Sequence, residues 1–417
     1  MEIKRDLYLN RLIARMHNGM IKVVTGVRRC GKSYLLFNLF YKYLINQGID
    51  DKHIIKIALD DRANKKFRDP DFLCDYIHQT ISDNQQYYIL LDEVQFVSEF
   101  EDVLNSFLHI PNADTYVTGS NARFLSKDVI TEFRGRGDEI KMYPLSFSEF
   151  LSGYEGDRIE AFDAYMTYGG LPQVLSIKEP EQKSSYLKNL FEETYIKDIK
   201  DRYGIRHDDE LEELVNTIAS SVGGLTNPTK IANTFESLKK HKISKETVKV
   251  YLDYLCDSFL VEKAMRYDVK GRKYINTPVK YYFVDCGLRN ARLNFRQVEK
   301  SHLTENIIYN ELRSRGYNVD VGVVTVRTAN GRGIREQRQY EVDFVCNLGS
   351  KRYYIQSAYK METEEKEKQE KMSLRNIDDS FKKIIITGEP SLVQRDNDGI
   401  TTISIYDFLL NDNSLEI

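Results

Sequence analysis

Eight residues near the amino terminus, Gly26-Val27-Arg28-Arg29-Cys30-Gly31-Lys32-Ser33, constrain this chain more than any other stretch. An apolar, β-branched run (Ile21–Thr25) precedes them, and an apolar helical pattern (Lys32–Ile45) follows. A strand, a glycine-bounded loop ending in Gly-Lys-Ser, and a helix together make a phosphate-binding loop. The glycines let the backbone close around an oxyanion and aim its N–H groups inward, and the helix adds its positive end. In such a loop Lys32 offers a cation to the β- and γ-phosphates, and Ser33 offers a hydroxyl to Mg²⁺. Val27, Arg28, Arg29, Cys30 and Tyr34 complete the expected nucleotide contact.

Tyr87-Tyr88-Ile89-Leu90-Leu91-Asp92-Glu93 reads as a second buried strand ending in two acids. Asp92 at the carboxyl edge of a parallel sheet can hold the Mg²⁺ shell, and Glu93 can orient an attacking water. A third strand ends Val117-Thr118-Gly119-Ser120-Asn121. Ser120 by strand position and Asn121 by chemistry are both eligible to hydrogen-bond that water or the γ-phosphate. Phe133-Arg134-Gly135-Arg136-Gly137 follows, where Arg134 or Arg136 is a candidate for stabilising transition-state charge. A plain basic loop is the alternative.

With 417 residues, the chain exceeds one compact core. Residues 1–144 alternate short strands and helices, the pattern of an α/β domain with a parallel sheet. Candidate strands are Ile21–Thr25, Ile54–Leu59, Tyr87–Leu91, Thr115–Thr118 and Glu139–Tyr143. Residues 145–205 read as helical, broken by Tyr168-Gly169-Gly170-Leu171-Pro172. Residues 206–290 carry three helical patterns: one over Leu211–Val222, one from Pro228 and one from Ser244. Two strands, Leu260–Arg266 and Lys280–Val284, follow around the turn Lys270-Gly271-Arg272-Lys273. Three helices and a two-stranded wing describe a winged helix. Residues 291–417 read as a further small α/β unit.

Five scattered cysteines without a Cys-x-x-Cys pair indicate neither a disulfide framework nor a zinc ribbon. The charged amino terminus lacks an apolar signal core, and no apolar stretch reaches bilayer length. The expected location is the cytoplasm, away from membranes. A net charge of −3 means that any nucleic-acid surface is a local patch. Candidate patches are Lys239-Lys240-His241-Lys242 with Lys245 and Lys249, the turn Lys270–Lys273, and a loop with Arg327, Arg332, Arg335 and Arg338.

On these motifs residues 1–205 resemble the archaeal and bacterial AAA+ ATPases related to the STAND class. The resemblance rests on Gly26–Ser33, Leu91-Asp92-Glu93-Val94-Gln95, Thr118-Gly119-Ser120-Asn121, Tyr143-Pro144-Leu145-Ser146-Phe147 and Tyr168–Pro172. It implies ATP and Mg²⁺ as cofactors, a sheet order 5-1-4-3-2, and a helical lid whose Gly170-Leu171-Pro172 element brings Pro172 near the nucleotide. It also implies a winged helix and a C-terminal restriction-endonuclease-like domain of the PD-(D/E)XK type. There Glu305 matches the helix glutamate and Asp343 the strand aspartate. Gln356 replaces the next carboxylate and Ala358 the lysine, with Lys360 on the same strand face. A neutral amide weakens metal binding, so a relic used for binding is expected rather than an active nuclease.

The leading expectation is an Mg²⁺-dependent ATPase whose hydrolysis drives rearrangement between core, lid and winged helix, with DNA as a partner. The alternatives are a slow nucleotide switch that recruits a protein partner, and an ATP-regulated nuclease. Self-assembly stays open.

Overall fold

The computed structural model describes residues 3–119, 135–205, 208–239, 243–329, 335–361 and 363–417, with backbone alone at 208, 238–239, 328–329 and 335–336. Two compact units emerge: Met1–Pro144 with Asp257–Phe259, and Leu145–Cys256 with Leu260–Ile417.

The first unit is built on five parallel strands, β1 (Ile21–Gly26), β2 (Ile54–Ala58), β3 (Tyr87–Asp92), β4 (Ala113–Thr118) and β5 (Gly137–Met142), in the order β2-β3-β4-β1-β5. This is the expected order 5-1-4-3-2, and the strands lie where the apolar runs placed them. Every residue of β1 and of β3 is buried. A strand covered on both faces needs such a continuous apolar run, and a parallel sheet supplies that cover through its crossover helices. Ile89 and Leu91 of β3 pack with Leu73, Ile77, Val103, Leu104 and Phe107 in one core cluster. Each such burial contributes about 1.5–3 kcal/mol. That gain holds β3 rigidly enough to carry a buried acid at its end.

Parallel pairing aligns Ala58 with Asp92, Leu91 with Val117, and Val24 with Thr118. Asp92, Thr118 and the loop after Gly26 therefore share the carboxyl edge of the sheet. β1 lies between β4 and β5, so the strand order reverses there, and open α/β sheets bind ligands outside such a point.

The second unit begins with helices, among them Phe147–Ser152, Arg158–Tyr168 and Pro180–Leu190, and continues through Asp208–Ser220, Pro228–Lys239 and Lys245–Asp257. Its eight-stranded mixed sheet comprises β6 (Val261–Asp268), β7 (Lys273–Phe283), β8 (Asn318–Ala329), β9 (Arg335–Leu348), β10 (Lys351–Ala358), β11 (Lys382–Thr387), β12 (Gln394–Arg395) and β13 (Ile400–Ser404). The order is β12-β13-β11-β10-β9-β8-β6-β7. The pair expected as a wing, β6 and β7, forms one edge of this sheet. Arg266–Asp268 of β6 pair in parallel with Val321–Val323 of β8, which makes the pair continuous with the C-terminal strands. Val324, Val342, Tyr354, Leu374 and Ile385 lie in one apolar cluster of this unit.

Candidate functional site

The loop after β1 has a conformation few sequences can adopt. Gly26 has φ +137°, and a Cβ there would lie 2.1 Å from the Met142 carbonyl oxygen on β5. Gly31 has φ +103°, and Arg29 between them is left-handed at +62°. The helix opening at Lys32 runs to Asn46, widened to π geometry over Leu35–Phe40. Its first N–H groups have no partner within the helix. Buried Lys32 folds back so that Nζ donates to Gly26 O at 2.9 Å and Val27 O at 3.1 Å. Neutral carbonyls are weak partners for a full charge and exchange readily for phosphate oxygens.

Asp92 is buried, and its carboxylate accepts from the hydroxyls of Thr118, at 2.5 Å, and Ser33. Burial raises its carboxyl above the usual range; the two hydroxyls oppose this, and the acidic neighbours Glu93 and Asp60 reinforce it. A buried carboxylate beside a hydroxyl and further acids fits a divalent cation, which lowers the cost of its charge. Glu93 is left-handed, at φ +53°, a conformation that costs a non-glycine residue about 1–3 kcal/mol and concentrates at active sites. Its N–H donates to Thr118 Oγ1 at 2.9 Å, and Gln95 Nε2 donates to its carboxylate. Thr118 therefore holds both acids, a task the sequence reading had not assigned to it.

Ser33 is exposed, Tyr34 half-buried and Cys30 buried, and Arg28 and Arg29 are partly or fully exposed on the loop. Arg136 is exposed, with its carbonyl accepting the Ile21 N–H. Ser120, Asn121 and Arg134 lie outside the described residues, as do Lys240, His241, Lys242 and Arg332.

Pro172 belongs to the second unit, and the glycines before it have a task there. A Cβ on Gly169 would lie 2.1 Å from Asp285 Oδ1, and one on Gly170 2.4 Å from the Leu145 carbonyl oxygen. The Gly170 N–H donates to Asp285 Oδ2 at 2.7 Å, and the Leu288 N–H to Oδ1 at 3.0 Å. Asp285 caps the helix Cys286–Arg292, and burial pushes its carboxyl up to about 6 against these backbone donors. The sequence signal for Asp285 was an acid closing an apolar strand directly before Cys286-Gly287.

The residues matched to a nuclease site partly converge. Glu305 on the helix Lys300–Ser314 and Asp343 on β9 both face Lys280 of β7. Gln356 Oε1 accepts the Asp343 N–H at 3.4 Å. Lys360, read as sharing the strand face of Gln356 and Ala358, lies beyond the end of β10 and pairs with Glu389 at 3.3 Å. Among the described residues no group of three His, Cys, Asp or Glu side chains forms a metal-binding cluster. Nor is any described helix long and apolar enough to cross a membrane.

This parallel sheet and glycine loop define a P-loop α/β protein, and residues 18–151 match the family model of an AAA domain. Residues 159–299 match a domain of unknown function (DUF8612). Along almost its whole length the chain belongs to the same family as an uncharacterized protein of Haemophilus influenzae, with 35% identity over 414 residues, 98% of each chain. An uncharacterized protein of Methanocaldococcus jannaschii is 26% identical over 424 residues, covering 94% of this chain and 90% of that one. Among solved structures, the Aeropyrum pernix ORC1 protein in complex with DNA aligns over 70% of this chain and 92% of its own at 12% identity, with a TM-score of 0.31. So slight a likeness bears on nothing further.

Proposed function

We propose that this chain is an Mg²⁺-dependent ATPase of the AAA+ class. The observation that carries the reading is the single hydroxyl of Thr118, which ties Asp92 and Glu93 together beside the glycine loop. Lys32 exchanges its two carbonyl partners for β- and γ-phosphate oxygens. Ser33 and Asp92 hold Mg²⁺, which when bound neutralises charge on the phosphates. Glu93 orients water and takes its proton, with its own carboxylate fixed by Gln95. Ser120 or Asn121 would contact the γ-phosphate, Arg134 or Arg136 would meet transition-state charge, and Pro172 would approach the nucleotide.

Nucleic acid is the proposed partner of the second unit. A cleft of about 630 Å³ there is lined by Lys270, Arg272, Lys351 and Arg352 against two carboxylates, Asp378 and Asp379. The Arg352 guanidinium lies 5.7 Å from the Tyr267 ring centre and 5.2 Å from that of Phe381. Clustered cations for phosphates beside aromatic side chains suit a single strand. Lys245 and Lys249 add no comparable enclosure.

The test is phosphate release by the purified chain with and without single-stranded DNA, alongside Glu93→Gln. Turnover that requires Glu93 and rises with DNA supports the reading. Tight ATP binding with equal, negligible turnover in both proteins favours a nucleotide switch that recruits a protein partner.

A further inference from the structure

Lys280 Nζ lies 2.9 Å from Glu305 Oε1, 2.8 Å from Glu341 Oε1 and 3.7 Å from Asp343 Oδ1. Three carboxylates, one from a helix and two from β9, converge on one ammonium delivered by β7. The lysine side chain is 3% exposed, so this is an enclosed charge rather than a surface pair. Two of the acids accept further internal donors. Tyr282 O–H donates to Glu305 Oε1 at 2.7 Å, and the Ser357 N–H to Asp343 Oδ2 at 2.8 Å. The Gln356 amide meets the Asp343 backbone, its Oε1 accepting that N–H at 3.4 Å while its Nε2 donates to Glu370 at 3.3 Å.

The centre is closely packed on its Glu305 side, while Glu341 is a third exposed. A Cβ added to Gly223, in the turn after the helix Asp208–Ser220, would lie 3.1 Å from Glu305 Oε1 and 3.2 Å from Oε2. A backbone turn therefore packs closely against the Glu305 carboxylate. Burial alone would lower the Lys280 ammonium, but Glu305, Asp343 and Glu341 together raise it above its ordinary value, so it stays charged.

We propose that Lys280 is a built-in cation: its ammonium occupies the place of a divalent metal among Glu305, Glu341 and Asp343, and binds β7 to the helix and β9 in a centre that does not cleave phosphodiesters. The arrangement explains how an acidic constellation persists without a Glu-x-Lys pair on β10. The lysine offsets part of the acids' charge from β7, the edge strand of the sheet. The inference is independent of the nucleotide reading, because none of these residues belongs to the first unit.

Replacing Lys280 by a neutral residue should turn the centre into a divalent-cation site. The test titrates Mn²⁺ into the full chain without nucleotide, followed by electron paramagnetic resonance, in an Asp92→Asn background that removes the first unit's metal ligand. The parent is expected to take up no Mn²⁺ that depends on Asp343. Lys280→Ala should bind one Mn²⁺, weakened at least about tenfold by adding Asp343→Asn. Should Lys280→Ala not fold, Lys280→Gln keeps the bulk, and Mn²⁺ should raise its melting temperature while leaving the parent's unmoved. Mn²⁺ uptake or plasmid nicking by the parent that Asp343→Asn abolishes would overturn the proposal. So would a folded Lys280 variant indifferent to Mn²⁺.

Discussion

The Thr118 hydroxyl donates to Asp92 Oδ1 at 2.5 Å, and the same oxygen accepts the N–H of Glu93 at 2.9 Å. β4 thus positions both acids at the end of β3, although it contributes neither. Thr118→Val keeps the β-branched shape and removes the hydroxyl. Turnover should fall about 10–100-fold with a raised Mg²⁺ requirement, as for lost outer-shell partners of metal ligands. ATP affinity measured without Mg²⁺ should change little. A variant with full turnover at low Mg²⁺ would show that Thr118 merely fills the core.

Glu93→Gln keeps size and hydrogen bonding but removes the carboxylate proposed as the base. Turnover should drop by about 10²–10⁴-fold, while ATP binding by equilibrium dialysis stays within a fewfold of wild type. Equal loss of binding and turnover would instead assign Glu93 to the architecture of the loop after β3.

Asp285 gives the second unit a pH dependence of defined sign. Its carboxyl is raised in the folded state, to about 6. The folded protein then holds this proton more tightly than the unfolded chain. The stabilisation is fully present below about pH 4 and is lost as pH rises towards 6, the reverse of an ion-paired carboxylate. Asp285→Asn keeps an oxygen for capping and should flatten that slope in denaturant melts between pH 4 and 6.5. An unchanged slope would place the titration elsewhere.

The cleft residues Arg272 and Lys351 should govern binding of single-stranded DNA. Reversing both to glutamate should weaken affinity and lower the salt slope by about two phosphate contacts, about 0.7 each for a single strand. An unaltered slope in fluorescence anisotropy would remove this cleft from the interface.

How far the sequence could be read depends on how local each feature is. The first sheet was legible because β1, β3 and their turns are continuous apolar runs closed by glycine or acid, and a parallel order follows from the family pattern. The second sheet was less so. What joins β6 to β8 is a three-residue pairing between segments more than fifty positions apart, and no local periodicity encodes it. Lys280 was missed for the same reason. A lysine was sought on β10, two positions from Gln356, whereas the actual partner arrives from β7. Its trace was a single charge inside Val279-Lys280-Tyr281-Tyr282-Phe283, an apolar run that ordinarily tolerates none. Gly170 entered the sequence reading through the Gly170-Leu171-Pro172 element, and the close fit of Gly169 and Gly170 against Asp285 and the Leu145 carbonyl had no local trace.

The central claim is that the Gly26–Ser33 loop binds and turns over ATP through Lys32. Its most direct test compares ATP binding and phosphate release by wild type and Lys32→Ala, each with Mg²⁺ and with the metal chelated. The account expects Mg²⁺-dependent release in wild type and loss of both binding and release in Lys32→Ala, with unchanged circular dichroism. Equal ATP binding and release by the two proteins would contradict it.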